Sequence, residues 1–483
     1  MFATVLKIKI PGRYKAVALD SIGLLFADLI YRLSNFVTLW LIAHYLGPTS
    51  AGIYTLGSTF RATLQIATLA GTGYLVVREL SQNQTGAQQY LLNMTGMRLG
   101  LSLGGWLLLQ LVTLLLSPPY PKTGLIISIL GLELIPESIR EITRSGSIAQ
   151  KRLMLYVVIA SSTGLARITA CWWALVTKGD LLWGVASTTL VSWIGNLSGF
   201  LKLLPPSHSS WTKVLSLKIM RAQFKAAIPF LAINTLLVMY AQSNVYLLSL
   251  LSTMNELAFY SIADSIVASS SLLTQVYLSL AIPAFSKLHP TNREGLKTLH
   301  SRSLLLMSGL SFPIATAVSF QANTVAALWG EQFKAVTLVI GLLIWSLVLS
   351  WLNAPNSGIM IATGCERFSV RFLVFALGIN VFIGFMLIPL RGAVGAVIAR
   401  LVAELAFGSM QWLFVYKKVS RISIDGIALP LIAVIAMALT RFMLGLAINT
   451  WGALFISLFV YIIVLLVGLF LLGGKPCLLL RRK

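Results

Sequence analysis

Residues 451–472 read WGALFISLFVYIIVLLVGLFLL, without a single charge. A helix needs roughly 20 such residues to cross the ~30 Å hydrocarbon core of a bilayer. Blocks of this kind recur along the whole chain, and they decide its fold class. We expect 14 spans, near 22–45, 52–77, 91–117, 122–143, 153–177, 180–204, 224–251, 257–283, 300–322, 334–362, 366–388, 391–416, 425–447 and 451–473. Spans four and ten carry Pro136 and Pro355 among polar residues and are the least regular. With 57% hydrophobic and only 11% charged residues, against about 25% charged in soluble domains, the sequence predicts an all-α integral membrane protein.

The formal charge of +23 invites a nucleic-acid reading, which its distribution opposes. With the N-terminus in the cytoplasm, 27 basic residues fall in cytoplasmic segments, among them Lys7, Lys9, Arg13, Lys15, Lys202, Lys213, Lys218, Arg221 and Lys225. The opposite loops hold four: Lys122, Lys178, Lys334 and Arg391. This is the positive-inside bias, so both termini are expected in the cytoplasm. The surplus charge suits anionic membrane lipids as partners, and no nucleic acid is expected.

One stretch occurs twice. Ala51-Gly52-Ile53-Tyr54-Thr55-Leu56-Gly57 lies over Leu257-Ala258-Phe259-Tyr260-Ser261-Ile262-Ala263 at an offset of 206 residues. Each copy follows a span and a short turn, LGPTS or LSTMNE, that is too brief for anything but a tight connection. Six spans separate the copies, so both start on the same side of the membrane. That predicts a parallel repeat of two six-helix lobes related by a pseudo-two-fold axis along the membrane normal, as in many transporters that work by alternating access. The expected division is a basic N-terminal segment 1–21, an N-lobe 22–204, an interfacial linker 205–223, a C-lobe 224–418, and an extra helical pair with a basic C-terminus, 419–483.

The stretches IAHYLGPTSAGIYTLGSTF and IATLAGTGYLVVRELSQ resemble the opening of the polysaccharide flippases, the Wzx-type members of the multidrug/oligosaccharidyl-lipid/polysaccharide exporter superfamily. AIPFLAINTLL, NELAFYSIADSI and LAIPAFSKL fit the second lobe. The resemblance implies a transporter that moves a lipid-linked oligosaccharide across the cytoplasmic (inner) membrane for cell-surface polysaccharide export, with polymerase and export machinery as further partners. Such members often have 12 spans. The 14 here match the flippases of the lipid-linked peptidoglycan precursor, which stay an alternative, as do cation-coupled multidrug exporters.

Charges inside spanning helices are costly and usually face a cavity or one another. Arg32 and Arg61 each lie ~15 Å into their spans at 1.5 Å per residue, close to the midplane. Under the 206-residue offset Asp28, Arg32 and Arg61 fall on Asn234, Val238 and Val267, so the fold does not demand them. Guanidinium groups grip phosphate oxygens bidentately. Arg32, Arg61, Arg98, Arg167 and Arg400 are therefore the expected ligands of an anionic head group, such as the pyrophosphate the resemblance suggests. Asp28, four residues before Arg32, could instead form a plain intrahelical bridge. Asp28, Asp264 and Glu404 are candidates for coupling to a proton or sodium gradient or to the membrane potential. Glu133 and Glu137 are the acidic partners of the first lobe, although Glu137 with Arg140, Glu141 and Arg144 reads most simply as a charged helix end. Arg441 is expected to snorkel toward an interface, and most tryptophans to form interfacial belts.

Neither a phosphate-binding GxxxxGK[ST] loop, nor HExxH, nor a dinucleotide fingerprint is present, and no loop is long enough for an enzyme domain. Cys171, Cys365 and Cys477 lack metal-ligand spacing. The expectation is a transporter and not an enzyme, without resident cofactor or metal.

Overall fold

The computed structural model describes residues 12–69, 87–116, 122–150, 152–203, 215–289, 292–419, 425–444 and 450–473. Most of the basic N-terminal segment, the linker residues 204–214 and Cys477 lie outside them. Among the described residues the chain is helical and has no strand. In order, the helices are α1 (Gly12–Leu69), α2 (Ala87–Leu116), α3 (Thr123–Leu132), α4 (Leu134–Ala149), α5 (Leu153–Lys178), α6 (Leu181–Leu203), α7 (Leu217–Leu251) and α8 (Met254–Ser269). There follow α9 (Ser271–Leu288), α10 (Arg293–Phe320), the short α11 (Ala322–Ala327), α12 (Val336–Ala362), α13 (Glu366–Phe414), α14 (Asp425–Leu444) and α15 (Thr450–Gly473).

All 14 expected spans fall on these helices, within their described residues. Nine stretches among the described residues are long and apolar enough to cross a membrane; two of them hold two spans each, and spans four, six and seven are not among them. The Phe26–Thr68 stretch has 43 residues and the Glu366–Val419 stretch 54. Straight helices of those lengths would be roughly two to three times the ~30 Å apolar core. Each is broken at a glycine with positive φ, Gly47 (φ 80°) in α1 and Gly392 (φ 54°) in α13. A side chain on Gly392 would also run into the Glu256 carboxylate, which accepts a 2.7 Å hydrogen bond from the Ala393 amide. Glu256 thus caps the helix restarting after the break, where an anion is favoured. Spans four and eight are each built from two shorter helices, interrupted at Glu133 and Ser270.

The chain forms two compact units, residues 1–242 and 243–483. The same helix pairs pack in each. In the first unit span one (first arm of α1) packs on span five (α5), and span two (second arm of α1) on the α3 half of span four. In the second unit span seven meets span eleven through Asn380 Nδ2, which donates to Ser243 Oγ at 2.6 Å. There span eight (α8) packs on span ten (α12). The repeated segment is the buried face in both copies: Tyr54 and Tyr260 are 6% and 0% exposed. Small residues around each tyrosine let a neighbouring helix approach closely, as expected for helices that associate in lipid.

Between α2, α4 and α6 an apolar cluster is built from Leu91, Met94, Ile139, Ile142, Phe200 and Leu203. The start of α7 rests on it through Met220 and Phe224 and leaves Lys218, Arg221 and Lys225 exposed. A second cluster, including Phe285, Leu296, Ile359 and Met360, closes the base of the second unit. The added pair α14–α15 docks on α10. Ser308 Oγ donates to the Gly426 carbonyl at 3.1 Å, and Tyr461 OH to the Gly309 carbonyl at 2.9 Å. Arg441, expected at an interface, is 7% exposed, with its guanidinium 5.7 Å from the Phe320 ring centroid.

Candidate functional site

Glu133, Glu137 and Glu141 follow one another at intervals of four, one helical turn apart, and form a ladder of carboxylates along span four. Helices of the first unit bring arginines to it. Glu133 occupies the break between α3 and α4 and caps neither end with its side chain. Its Oε1 lies 3.4 Å from Arg167 on α5, and its Oε2 3.5 Å from Arg61 on the second arm of α1. Glu137 lies 3.9 Å from Arg61, accepts at 2.9 Å from Arg140 Nε, and accepts at 3.3 Å from Gln65 Nε2. Arg140 also lies 3.6 Å from Glu141.

Two tyrosines carry the chain of contacts onward. Arg167 donates to Tyr31 OH at 2.8 Å, and the guanidiniums of Arg140 and Arg167 lie 4.1 and 5.2 Å from the Tyr31 ring centroid. Cation–π attraction steadies two like charges there without a further carboxylate. Arg140 donates to Tyr156 OH at 3.1 Å, and Tyr156 OH donates to Asp28 at 3.2 Å. Asp28 also accepts from Arg144 at 3.2 Å. The residues that read as a charged helix end thus join a network with Asp28 and Tyr156 of neighbouring helices. A recess lined by Arg140, Thr143, Tyr156, Ile159, Ala160 and Asn196 adjoins it and leaves no room for a water molecule. Arg98 on α2 is fully buried, within electrostatic reach of Glu141.

Arg61 differs from its neighbours. Its side chain is 12% exposed, and among the described residues it makes no hydrogen bond; it is held by charge alone at 3.5 and 3.9 Å. Arg32 is exposed on span one, on a different side from the buried Tyr31 and Ser34.

In the second unit three expected site residues come together. Arg400, on the second arm of α13, donates to Asp264 on α8, to Glu404 Oε1 at 3.1 Å and to Tyr260 OH at 3.2 Å. Tyr260 OH also accepts from Asn244 Nδ2 on α7 at 3.2 Å. Among the described residues Glu404 Oε2 is buried without a hydrogen-bond donor. The tyrosine of the repeat is therefore a partner of Arg400 in this unit. In the first unit Tyr54 likewise lies within the field of Arg167, Glu133 and Arg61. Tyr31, Tyr156, Gln65 and Asn244 were invisible to a search of the sequence for intramembrane charges. The duplicated tyrosine was the one available signal of this kind. Among the described residues no cluster of metal-ligating side chains is present.

Residues 18–289, more than half of the chain, match the family model described as polysaccharide biosynthesis protein. The chain belongs to that family. No curated protein matches it by sequence. Among solved structures, the lipid II flippase MurJ in an inward closed conformation is similar with a TM-score of 0.75 at 12% identity, over 95% of this chain and 99% of that one. An inward-facing multidrug resistance MATE family transporter of the MOP superfamily gives 0.65 at 14% identity, over 81% and 97%. The eukaryotic MATE transporter AtDTX14 gives 0.57 at 14% identity, over 84% and 96%. At such identities the likeness establishes the fold. This family member is a multi-pass membrane protein with the fold of the lipid II flippase MurJ and of MATE family transporters.

Proposed function

We propose that the protein is a flippase that carries a lipid-linked oligosaccharide, through its anionic head group, across the cytoplasmic membrane by alternating access. The observation that carries this reading is Arg61. A guanidinium carries five N–H donors, and here the buried Nε has no acceptor while two carboxylates stand at 3.5 and 3.9 Å from the group. Unmet charged donors are expensive. A phosphate or diphosphate supplies paired oxygens in the geometry a guanidinium prefers. Arg61, with the exposed Arg32, is assigned first contact with the head group. Arg98 and Arg167, being fully buried, serve behind them as supporting charge.

The second unit takes the coupling role. Two carboxylates share Arg400, and Glu404 keeps a bare oxygen. One formal negative charge is left over, which suits a proton or sodium ion and not an anionic substrate. The charge bias of the loops supports an orientation with both termini in the cytoplasm, where the exposed Lys218, Arg221 and Lys225 meet anionic lipids. A lipid-linked peptidoglycan precursor is the second reading, favoured by the 14 spans and by the likeness to MurJ.

Cells lacking the protein and supplied with Arg61→Ala or Arg32→Ala test the assignment. Each variant should reach the membrane at normal abundance and lose surface polysaccharide. Full export by both variants overturns it, and drug efflux by the overproduced wild type would favour a multidrug exporter instead.

A further inference from the structure

Glu133 stands where a ligand phosphate would be held. It is 1% exposed, and its two oxygens are divided between two arginines from different helices, Arg167 and Arg61. The two contacts are unequal in kind. Arg167 is enclosed and anchored by its hydrogen bond to Tyr31, whereas Arg61 is partly exposed and makes no hydrogen bond. A carboxylate offers acceptors much like two oxygens of a phosphate, but it is tethered to a helix break and stays 3.5 Å from Arg61 Nε. It neutralises that guanidinium without meeting its Nε donor.

We propose that Glu133 is an internal counter-anion, a positioning residue that holds Arg61 in the unloaded protein and yields it to the incoming phosphate group. This rests on the assignment of Arg61 to head-group binding. The wider network explains how Glu133 can let go: Arg167 remains its partner, so the carboxylate keeps one buried positive charge when Arg61 turns away. Glu137, 3.9 Å from Arg61 and tied to Arg140 and Gln65, likewise keeps its own partners. Arg61 is then the one member able to change sides while the remaining ion pairs persist.

Substitutions at the two ends of the Glu133 contact should act in opposite directions. The full chain in nanodiscs of zwitterionic lipid is titrated with a long-chain polyprenyl diphosphate. In Glu133→Gln the competitor is neutral, and Kd should fall about tenfold. In Arg167→Gln the carboxylate is left to Arg61 alone, and Kd should rise about tenfold. Glu141→Gln removes the same charge from the far end of the ladder, away from Arg61, and should give a clearly smaller gain than Glu133→Gln. Equal gains in Glu133→Gln and Glu141→Gln would mean that overall charge acts, and would overturn the proposal, as would an unchanged or weaker affinity in Glu133→Gln. Should that variant fail to fold, Arg167→Gln decides, and unchanged or tighter binding there overturns the proposal. Arg61→Gln separates the two levels. If it binds the diphosphate as the wild type does, the head-group assignment itself falls. If it loses binding while Glu133→Gln shows no gain, only the counter-anion role falls.

Discussion

In residues 1–242, Arg61, Arg98, Arg140, Arg144 and Arg167 share Asp28, Glu133, Glu137 and Glu141, whereas in residues 243–483 a single Arg400 serves both Asp264 and Glu404. The first arrangement leaves one positive charge in excess and the second one negative. Redundancy differs as well. Each carboxylate of the first ladder touches or feels two arginines, so one cation can leave without stranding an anion. In the second unit nothing on the described helices replaces Arg400. The same helix pairings therefore support a flexible cationic network in one unit and a single-point clasp in the other.

Removing the clasp should give the largest effect. Arg400→Gln leaves the buried Glu404 and the half-buried Asp264 without their shared cation, and stranding one partner of a fully buried pair costs about 3–5 kcal/mol, which sets the upper end of the expected loss. We expect the variant to be lost from detergent extracts or to melt far below the wild type in fluorescence-detected size exclusion. Arg61→Gln should fold with a melting temperature close to wild type, because the guanidinium contributes no hydrogen bond and Glu133 and Glu137 keep other partners. A collapse of Arg61→Gln matching that of Arg400→Gln would erase the contrast between the units.

The tyrosines come next. Tyr31→Phe keeps the ring beside Arg140 and Arg167 and loses only the 2.8 Å bond from Arg167, an effect of about 1.5–3 kcal/mol for a hydrogen bond to a charged group. Tyr31→Leu loses the ring too and should be less stable by roughly a further 1–2 kcal/mol if cation–π attraction steadies the pair. Equal melting temperatures for the two variants would remove the ring from the account. Tyr260→Phe sharpens the comparison, since its hydroxyl accepts from both Arg400 and Asn244. It should cost at least as much as Tyr31→Phe.

What could be read in advance followed from solvent and period. Fourteen apolar blocks had to become helices because lipid offers the backbone no other partner, and the echo around Tyr54 and Tyr260 marked the same buried surface in both units. Pairing between helices was harder to see. Asp28 and Arg32 are four apart and invite a local bridge, but spacing along the chain does not show that Asp28 also meets Arg144 and Tyr156, 116 and 128 residues away. Glu137, Arg140, Glu141 and Arg144 read as a charged helix end, and a linear count of charges does not tell that Gln65, Tyr156 and Asp28 of neighbouring helices meet them. Hydroxyls escaped notice for a related reason: a tyrosine in an apolar run carries no charge to flag it, although here it determines where an arginine rests.

The smallest effect is expected outside the membrane, where Lys122 Nζ donates to Asp180 Oδ2 at 3.0 Å across two loops of the first unit. The hydrogen bond from Lys122 holds the Asp180 carboxyl below its ordinary value, with help from the Leu182 amide. A depressed carboxylate favours the folded state above the unfolded pKa of about 3.9, and that contribution disappears as pH falls through the lower folded value. Both side chains are open to water, so solvent screens the pair. Lys122→Ala should therefore move the melting temperature at neutral pH by no more than about 2 °C. The difference from wild type should shrink toward zero below the carboxylate range. A shift here as large as that of Tyr31→Phe would show that burial, on which the contrast between the two buried clusters rests, is not what gives a charge its weight in this protein.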